Sequence, residues 1–386
     1  MNVLYYLDPA DGLRGWLAYD GRDSRLAAGG CRVQRGLTVA ELGVLAGRMT
    51  IKQRVLGINV DGAKCGIDYD PRSAGKADAL ARFLSFLRDE LCTRFSMGSD
   101  MGTEWNELQG IAAGVGIPSV KYAIKTAQGL TDDEFFTRMA RLDDRVGLLT
   151  LSQRRAGHAL GHAAIGAARA ADVAGDVTCA LQGFGTLGRA AACSLLEEGV
   201  RLTAIADEHG CIADPAGLDV ARMLASPLRM PVPQIDVPGQ RLSSSALLDL
   251  PADVLVLAAG ADAMSEAAAA DPQFAAVVVG ANCGLSEAVE DVLHRRGVLV
   301  VPDFIGGIGG SASMEALFGP SRPPSAQQVL DNLAHLMREL VDDIAATSKR
   351  TGTTPREVGL HLASTATVDV EAPPYGQCRY LATSVD

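Results

Sequence analysis

Long apolar runs and an excess of basic residues are both missing from this sequence. The alanine-rich stretches are broken by charged residues or glycine within a turn or two, so we predict no membrane-spanning segment. The 35 Lys and Arg are outnumbered by 46 Asp and Glu, and the net charge of −11 argues against nucleic acid or a membrane surface as a partner. The first residues lack the basic and apolar regions of a signal peptide, so we expect a cytoplasmic protein.

Clustered metal ligands and paired cysteines are also missing. The eight cysteines lie at positions 31, 65, 92, 179, 193, 211, 283 and 378, without a CxxC pair. This spacing predicts reduced core thiols rather than a zinc or disulfide framework. His158 and His162 have the i, i+4 spacing of a chelating pair, but no third ligand lies nearby in the sequence. We therefore favour structural histidines and predict no metal site.

The chain is too long, at 386 residues, for one ordinary core, and its pattern changes along its length. Residues 1–145 mix short strands with helices. Thr38 and Glu41 predict a capping box before a helix, GINV (57–60) predicts a strand that leads into a DGAKCG turn, and 77–95 predicts one amphipathic helix. From about residue 150 helices alternate with apolar strands, which is typical of a parallel sheet; the predicted strands are 177–182, 201–207, 253–259, 275–280 and 297–303.

This succession predicts an α/β fold with a Rossmann-like, doubly wound nucleotide domain over residues 146–325. Capping patterns at Ser325/Gln328 and Thr354/Glu357 begin two more helices, which belong to a C-terminal helical segment, 326–386, that we expect to pack back toward the first domain. The tail from Glu371 is expected to be loosely ordered.

The segment LQGFGTLGRA (181–190) carries a dinucleotide fingerprint. Gly183, Gly185 and Gly188 follow a predicted strand and open a predicted helix, where they allow a tight turn, close approach of a pyrophosphate and close helix packing. Asp207 ends the next strand about twenty residues further on, where a carboxylate can bind ribose hydroxyls. This favours NAD without excluding NADP; alternatively, Asp207 only caps the ADEHG turn. The predicted cofactor-binding residues here are Gly183, Phe184, Gly185, Thr186, Leu187, Gly188, Asp207 and Ala259.

Two lysines and an aspartate predict chemistry on a small acid. Lys52 and Lys64 lie twelve residues apart in RMTIKQRVLGINVDGAKCGIDYDP, and Asp100 lies in GSDMGTEW. Two ammonium groups can hold and polarise an α-amino or α-keto acid, and a carboxylate can move its protons. An isolated lysine is ordinarily a solvated surface charge, and an isolated aspartate often caps a turn. Here the lysines interrupt an apolar, glycine-rich stretch, which favours a functional site.

Together, MTIKQRVLGINVDGAKCGIDYDP, SDMGT, GFGTLG, VVVGAN and LVVPDFIGGIGG resemble, in order and spacing, the glutamate/leucine/phenylalanine/valine dehydrogenase family over residues 25–345. The resemblance implies an N-terminal α/β substrate and oligomerisation domain, a nucleotide domain and an active site in the cleft between them, in a homo-oligomer. It implies that Lys52 binds the α-carboxylate, Lys64 is the catalytic lysine that activates water and Asp100 is the proton shuttle. Asn282 is similar to the asparagine beside the cofactor ribose.

The resemblance also predicts something about the substrate. Family members that take glutamate carry a lysine just before the GG of the first substrate loop, and that position is Ala28 here, before Gly29. A distal carboxylate buried without a partner is costly, so glutamate is disfavoured. Ala28 and Gly98 indicate room for a bulky or aromatic side chain, with Ser311 and Met314 on the far wall. Alternatively, these small residues only permit close loop packing.

Several positions depart from the family pattern. Asp61 replaces the first glycine before the catalytic lysine and Cys65 the glycine after it; an Asp61 carboxylate pointing at Lys64 would hold that amine charged. Ala156 replaces a threonine near the nicotinamide carboxamide, and Gly307 replaces an asparagine near the substrate amine. Each lost hydrogen bond weakens binding by about 1 kcal/mol or more.

These observations predict NAD(P)-dependent interconversion of an L-α-amino acid with its 2-oxo acid and ammonia. Two alternatives remain open. One is a reductase of a preformed imine or 2-oxo acid, and the other is a catalytically weakened paralogue that binds nucleotide or amino acid.

Overall fold

The computed structural model describes residues 1–381 and divides into two compact units. The first unit contains Met1–Met139 and Leu362–Arg379, and the second contains Ala140–His361 together with Tyr380 and Leu381. The helix Ala326–Thr351 packs within the second unit, against the helix Leu151–Ala170. The division into domains 1–145, 146–325 and 326–386, with a cleft, stays a prediction.

The first unit is a mixed sheet with helices on both faces. Its strands are β1 (Asn2–Leu7), β2 (Arg14–Tyr19), β3 (Leu26–Gln34), β4 (Val60–Asp68) and β5 (Phe95–Ser99). Its helices are α1 (Val39–Leu56), α2 (Lys76–Phe86), α3 (Arg88–Thr93), α4 (Trp105–Gly114), α5 (Ala123–Gln128) and α6 (Asp132–Ala140). The strand order is β1-β2-β4-β3-β5, in which β3 runs parallel to β4 and β5. The odd-numbered residues of β3, β4 and β5 form a core with α2, α3 and α4, and the even-numbered face of β4 packs on α1.

Three sequence predictions in this unit are wrong. GINV (57–60) is not a strand, because Gly57 ends α1 in the left-handed conformation and only Val60 belongs to β4. DGAKCG is not a turn but the middle of β4, because its glycines serve close packing: a Cβ on Gly62 would lie 2.1 Å from the Ala46 carbonyl oxygen of α1. Residues 77–95 form two helices, α2 and α3, separated at Leu87, whose backbone leaves helical geometry while its side chain is fully buried. The predicted helix after Thr38 is confirmed as α1.

The second unit contains the parallel sheet that the alternating pattern predicts. Its strands are β6 (Arg145–Val146), β7 (Leu149–Thr150), β8 (Thr178–Gln182), β9 (Arg201–Asp207), β10 (Gly210–Ala213), β11 (Gln240–Leu242), β12 (Val254–Leu257), β13 (Ala276–Val279) and β14 (Leu299–Val301). The main sheet has the order β11-β10-β9-β8-β12-β13-β14. The five strands β9, β8, β12, β13 and β14 are parallel, and the pairs β9–β10 and β10–β11 at one edge are antiparallel. The predicted Rossmann-like architecture is confirmed.

The helices of this unit are α7 (Leu151–Ala170), α8 (Thr186–Glu197), α9 (Val220–Leu224), α10 (Glu266–Ala269), α11 (Glu287–Arg295), α12 (Asp303–Gly306), α13 (Gly309–Phe318), α14 (Ala326–Thr351) and α15 (Pro355–Thr365). The reciprocal capping bonds predicted for Ser325/Gln328 and Thr354/Glu357 are both present. Across residues 1–381, no helix combines the length and hydropathy that a membrane span requires.

The tail is more ordered than the sequence predicts. Tyr375, Cys378 and Tyr380 are buried, and the Gln128 side chain exchanges two hydrogen bonds with the backbone of Tyr375. The prolines and glycine of this segment are typical of a loose tail, so the sequence does not predict its packing. The rest of the predicted loose tail, 382–386, lies outside the described residues.

Candidate active site and dinucleotide site

The structure brings Lys64 and Asp100 together. Lys64 lies in the middle of β4, and Asp100 directly follows β5. The Lys64 Nζ is 2.9 Å from the Asp100 Oδ2, and the two side chains are only 7% and 13% exposed. Burial by itself would raise the pKa of Asp100, but the neighbouring Lys64 ammonium and the Arg32 guanidinium lower it below its ordinary value. Asp100 is therefore an ionised carboxylate at neutral pH.

Arg32 is a second cation on Asp100 that the sequence analysis missed. Its Nε donates to the Asp100 Oδ2 at 3.0 Å, and its Nη1 donates to the Glu41 Oε1 at 2.8 Å. One half of the predicted capping box is formed, the bond from the Glu41 N–H to the Thr38 Oγ1. The Glu41 carboxylate binds Arg32 instead of completing the other half. The alternation of β3 was the available signal, because residues 28, 30 and 32 share one face.

Thr103 fixes the turn that carries Asp100. The Asp100 N–H donates to the Thr103 Oγ1 at 3.0 Å, and that hydroxyl donates to the Cys31 carbonyl at 2.8 Å. The turn after β5 is therefore tied to β3. This bond orients the Asp100 backbone independently of its carboxylate.

Small residues lie around the ion pair on the same face of the sheet. Ala28 pairs with Ser96, and Gly30 pairs with Gly98. A Cβ on Gly30 would lie 2.9 Å from the Asp100 Cβ and 3.2 Å from the Lys64 Nζ, whereas the nearest atom to a Cβ on Gly98 would be the Gly29 carbonyl oxygen at 3.8 Å. Gly30 thus makes room for the pair, and Gly98 borders open space.

Replacing Gly30 with alanine is expected to lower kcat/KM by about tenfold to a hundredfold, because the added methyl displaces the Lys64–Asp100 pair. Steady-state kinetics measure this loss. The control is Gly110→Ala in α4, where a Cβ would meet no described atom within 4 Å beyond its chain neighbours and the backbone of its own helix. Equal activity of the two variants would contradict this account of Gly30.

The other substrate residues predicted in this unit have different surroundings. Lys52 is 8% exposed and lies in α1, the helix that packs on β4. Gly29 faces away from Lys64, and a Cβ there would lie 1.6 Å from the Ala63 carbonyl oxygen. Its glycine is needed for close packing of β3 on β4, and a substrate role for Gly29 stays a prediction.

Asp61 does not hold Lys64. Residues 61 and 64 leave opposite faces of β4. The Asp61 Oδ1 accepts from Arg54 Nη2 at 2.6 Å and from Ser24 Oγ at 3.0 Å, and its Oδ2 accepts from the Ser24 N–H at 3.0 Å. Asp61, although it replaces a glycine of the family pattern, therefore forms no ion pair with Lys64.

Lys121 is another cation that the sequence analysis missed. It is only 5% exposed, its Nζ lies 3.4 Å from the Ser96 Oγ, and the Nζ is 5.8 Å from the centre of the Trp105 ring. Ser96 is two residues before Gly98 on β5, about 7 Å along the strand. Lys121 therefore lies near Ala28, at the end of this group of small residues that is farther from Asp100.

The fingerprint glycines of the second unit form a turn between β8 and α8. Gly183 has a φ of +92°, and a Cβ on Gly188 would lie 1.8 Å from the Gly183 carbonyl oxygen, so both positions require glycine. A Cβ on Gly185 would meet no described atom within 4 Å beyond its chain neighbours, which leaves the N-terminus of α8 open to a ligand. The residues present therefore fit a bound pyrophosphate.

A cavity of about 560 Å³ lies against this turn. Among the predicted cofactor residues, Gly183, Phe184, Gly185, Asp207 and Ala259 line it. Thr186 and Leu187 lie in the first turn of α8, and Asn282 follows β13. The assignment of these individual residues to cofactor contacts stays a prediction.

Asp207 caps its turn, which is the alternative that the sequence left open. Its Oδ1 accepts from the N–H groups of His209 and Gly210, and its Oδ2 accepts from the Val232 N–H at 2.6 Å. The carboxylate thus ties the β9–β10 turn to the segment near residue 232. Its lone pairs are largely occupied, so the case for NAD that rests on Asp207 is weaker.

The remaining predicted substrate residues belong to the second unit. Gly307 follows α12, and Ser311 and Met314 are buried in α13. A Cβ on Gly309 would lie 2.9 Å from the Ala156 carbonyl oxygen. The two positions that lack hydrogen-bonding side chains, 156 and 307, therefore lie on adjoining segments.

His158 and His162 have structural partners. The His158 Nδ1 is 2.8 Å from the Ser194 Oγ and its Nε2 is 3.0 Å from the Leu330 carbonyl, while Arg338 donates to the His162 Nδ1 at 3.0 Å. Burial lowers the pKa of His158 to about 4 and that of His162 to about 3. Both rings are therefore neutral at physiological pH.

Family models match most of the chain. The model described as Glutamate/Leucine/Phenylalanine/Valine dehydrogenase matches residues 154–371, and that described as Glu/Leu/Phe/Val dehydrogenase, dimerisation domain, matches residues 7–114. The resemblance seen in the sequence motifs is therefore confirmed.

Individual relatives are glutamate dehydrogenases by name. NADP-specific glutamate dehydrogenase A1 of Halobacterium salinarum is 30% identical over 73% of this chain and 66% of its own length. Glutamate dehydrogenase of Thermotoga maritima is 28% identical over 74% of this chain and 67% of its own length. NAD-specific glutamate dehydrogenase of Staphylococcus aureus is 32% identical over 34% of this chain and 31% of its length. The chain thus spans about two thirds of the length of the first two.

Solved structures share the fold. Hetero-hexameric glutamate dehydrogenase from Thermus thermophilus, in a Leu-bound form, has a TM-score of 0.72 at 24% identity and covers 95% of this chain and 88% of its own. L-tryptophan dehydrogenase from Nostoc punctiforme has a TM-score of 0.64 at 16% identity, with 95% of each chain covered.

Proposed function

We propose, because the chain belongs to the glutamate/leucine/phenylalanine/valine dehydrogenase family, that it interconverts an L-α-amino acid with its 2-oxo acid and ammonia, with NAD or NADP as the oxidant. Members of this family are oxidoreductases that act on a CH–NH2 group. The observation that carries the proposal is the buried 2.9 Å contact between Lys64 and Asp100.

The chemistry follows from these two side chains. The Lys64 ammonium can donate to an oxygen on the substrate α-carbon and stabilise negative charge that develops there. Asp100, ionised at neutral pH, can accept a proton from the substrate amine or from attacking water and return it later. Lys52 can hold the α-carboxylate. A bound dinucleotide would accept the hydride of the α-carbon.

We propose that glutamate is a poor substrate and that the side chain accepted is bulky, since Ala28 offers no cation and Gly98 borders open space. One observation favours a second candidate, a side chain that ends in a carboxylate or another acceptor. The buried Lys121 lies beside Ser96, the partner of Ala28 in the sheet, and could bind such a group.

We propose a homo-oligomer that forms through the first unit. Strand β1 is at the edge of its sheet and leaves Tyr5 and Leu7 65% and 66% exposed on one face, and Val44 of α1 is 62% exposed. An apolar edge strand is a template for pairing with another chain. The family description of this region as a dimerisation domain supports the proposal. The cytoplasmic location stays a prediction.

The test follows nicotinamide absorbance with a panel of L-amino acids, with their D-enantiomers as controls, and then with 2-oxo acids with and without ammonium. We expect turnover of L-amino acids and an absolute requirement for ammonium in the reverse direction, with bulky side chains preferred to glutamate. A preference for acidic side chains would support the Lys121 candidate instead.

Two outcomes would overturn the proposal. Turnover of 2-oxo acids without ammonium would indicate a reductase of another kind. Absence of turnover with retained nucleotide binding would indicate a weakened paralogue, for which Ala156 and Gly307 remain the motivation. Asp61 no longer supports that alternative, because its carboxylate is bound to Arg54 and Ser24.

A further inference from the structure

The cavity at the fingerprint turn has a second wall that the sequence motif does not predict. Besides Gly183–Gly185, the cavity is lined by Leu228, Arg229 and Met230, from the segment after α9. We call residues 228–230 the outer wall. It lies in the same cavity as the end of β9, where the adenosine ribose of a dinucleotide binds in folds of this kind.

Arg189 anchors one end of the segment that carries the outer wall. It is buried at 6% exposure, and its Nε donates to the Phe184 carbonyl of the fingerprint turn at 3.2 Å. Its Nη atoms donate at 2.7–3.1 Å to the Ser226 side chain and to backbone carbonyls of Leu224, Ser226 and Pro227. One guanidinium therefore joins the pyrophosphate turn to the segment just before Leu228.

Asp207 anchors the other end through its bond from the Val232 N–H. The wall between these anchors is held in place although its side chains are open to solvent. Leu228 is 53% exposed, which is unusual for a large apolar side chain beside a cavity and fits an apolar face for a flat base.

Arg229 is the cation of this wall. It is exposed, and within residues 1–381 no hydrogen bond or ion pair joins it to another side chain. His209 lines the same cavity and lies 3.4 Å from Glu208 through its Nε2. Glu208 opposes an anion here, but its 86% exposed side chain is free to turn to solvent. The Asp207 carboxylate, the expected reader of an unphosphorylated ribose, is occupied by three backbone N–H groups.

We propose that Arg229, with His209, binds the 2′-phosphate of the adenosine ribose, so that the protein uses NADP(H), and that Leu228 packs on the adenine. Arg189 and Asp207 are positioning residues that hold the outer wall. This inference rests on the proposed function for its dinucleotide ligand. Guanidinium groups bind phosphate through two parallel hydrogen bonds. These bonds would favour NADP(H) over NAD(H), which lacks the 2′-phosphate.

The test measures binding of 2′,5′-ADP and of ADP to the full chain by titration calorimetry, so it does not depend on turnover. The wild-type protein is expected to bind 2′,5′-ADP about tenfold more tightly than ADP. Arg229→Gln is expected to remove that preference by weakening 2′,5′-ADP about tenfold, with ADP changed by less than about twofold. Leu228→Ser is expected to weaken both ligands about equally, by about fivefold or more.

The control is Arg295→Gln, an exposed arginine of α11, which should change neither affinity. Equal wild-type affinities for the two ligands, or tighter binding of ADP, would overturn the proposal. So would an Arg229→Gln variant that weakens both ligands alike. A protein that prefers 2′,5′-ADP but turns over no amino acid would sink the proposed function and leave this inference standing.

Discussion

Lys64→Met is expected to lower kcat/KM by about a thousandfold or more, because the variant loses the ammonium that we propose donates to the reacting oxygen and stabilises the charge that develops there. Lys64 is 7% exposed and its Nζ lies 2.9 Å from the Asp100 carboxylate, so its charge lies at a buried site rather than in solvent. Methionine keeps most of the unbranched apolar stem of lysine and removes both the charge and the N–H donors. Steady-state kinetics with the best amino acid of the panel measure the loss.

Two measurements separate this chemistry from damage to the fold. Lys349→Met is the matched control, since Lys349 is 82% exposed at the end of α14 and its ion pair with Asp172 lies at the surface. The affinity of Lys64→Met for ADP should equal that of the wild type, because the fingerprint cavity is formed within the second unit. A Lys64→Met enzyme within about tenfold of the wild type would refute the catalytic assignment.

The second unit could be predicted well because its signals are local. Each parallel strand is a short apolar run bounded by glycine or charge, and the fingerprint glycines have steric roles that the structure confirms at Gly183 and Gly188. Periodicity and turn chemistry are properties of neighbouring residues, so a single sequence contains them.

The first unit was harder because its glycines are misleading. The sequence DGAKCG has the composition of a turn, yet Gly62 and Gly66 are there to admit α1 and β3 against β4. That requirement comes from segments distant in the chain. The consequence for the site is large, because Lys64 projects from a rigid strand rather than from a loop, which suits a group that must hold its position.

The residues that support Asp100 were missed for the same reason. Arg32 and Thr103 contact Asp100 only because β3 and β5 are neighbours in the sheet, and Lys121 reaches Ser96 from beyond α4. The motif predicts the proposed reacting groups, whereas their partners depend on strand order. Asp207 is the converse case, since its position in the motif predicted a ribose contact and its hydrogen bonds are those of a turn cap.

Asp100→Asn is expected to lower kcat by about a hundredfold to ten-thousandfold with a smaller change in KM, because the amide cannot take up the proton that the carboxylate accepts. The substitution preserves shape: Lys64 can still donate to the amide oxygen, and the backbone bond from the Asp100 N–H to Thr103 is untouched. The loss should persist at every pH between about 6 and 9, since no titration restores a carboxylate.

Arg32→Gln distinguishes proton transfer from positioning. Arg32 helps to keep the pKa of Asp100 below its ordinary value, so its removal should raise that pKa and move the acidic limb of the kcat/KM profile to higher pH, with only about a tenfold loss at the optimum.

The lowered pKa of Asp100 also means that its ionised carboxylate stabilises the folded protein. A carboxylate with a lowered folded pKa stabilises the protein fully above its unfolded pKa and loses that stabilisation as the pH falls through the folded value. The difference in unfolding free energy between wild type and Asp100→Asn should therefore be constant from about pH 5 to 8 and shrink below about pH 4. An Arg32→Gln profile that keeps the wild-type acidic limb would show that Asp100 is not the group that titrates.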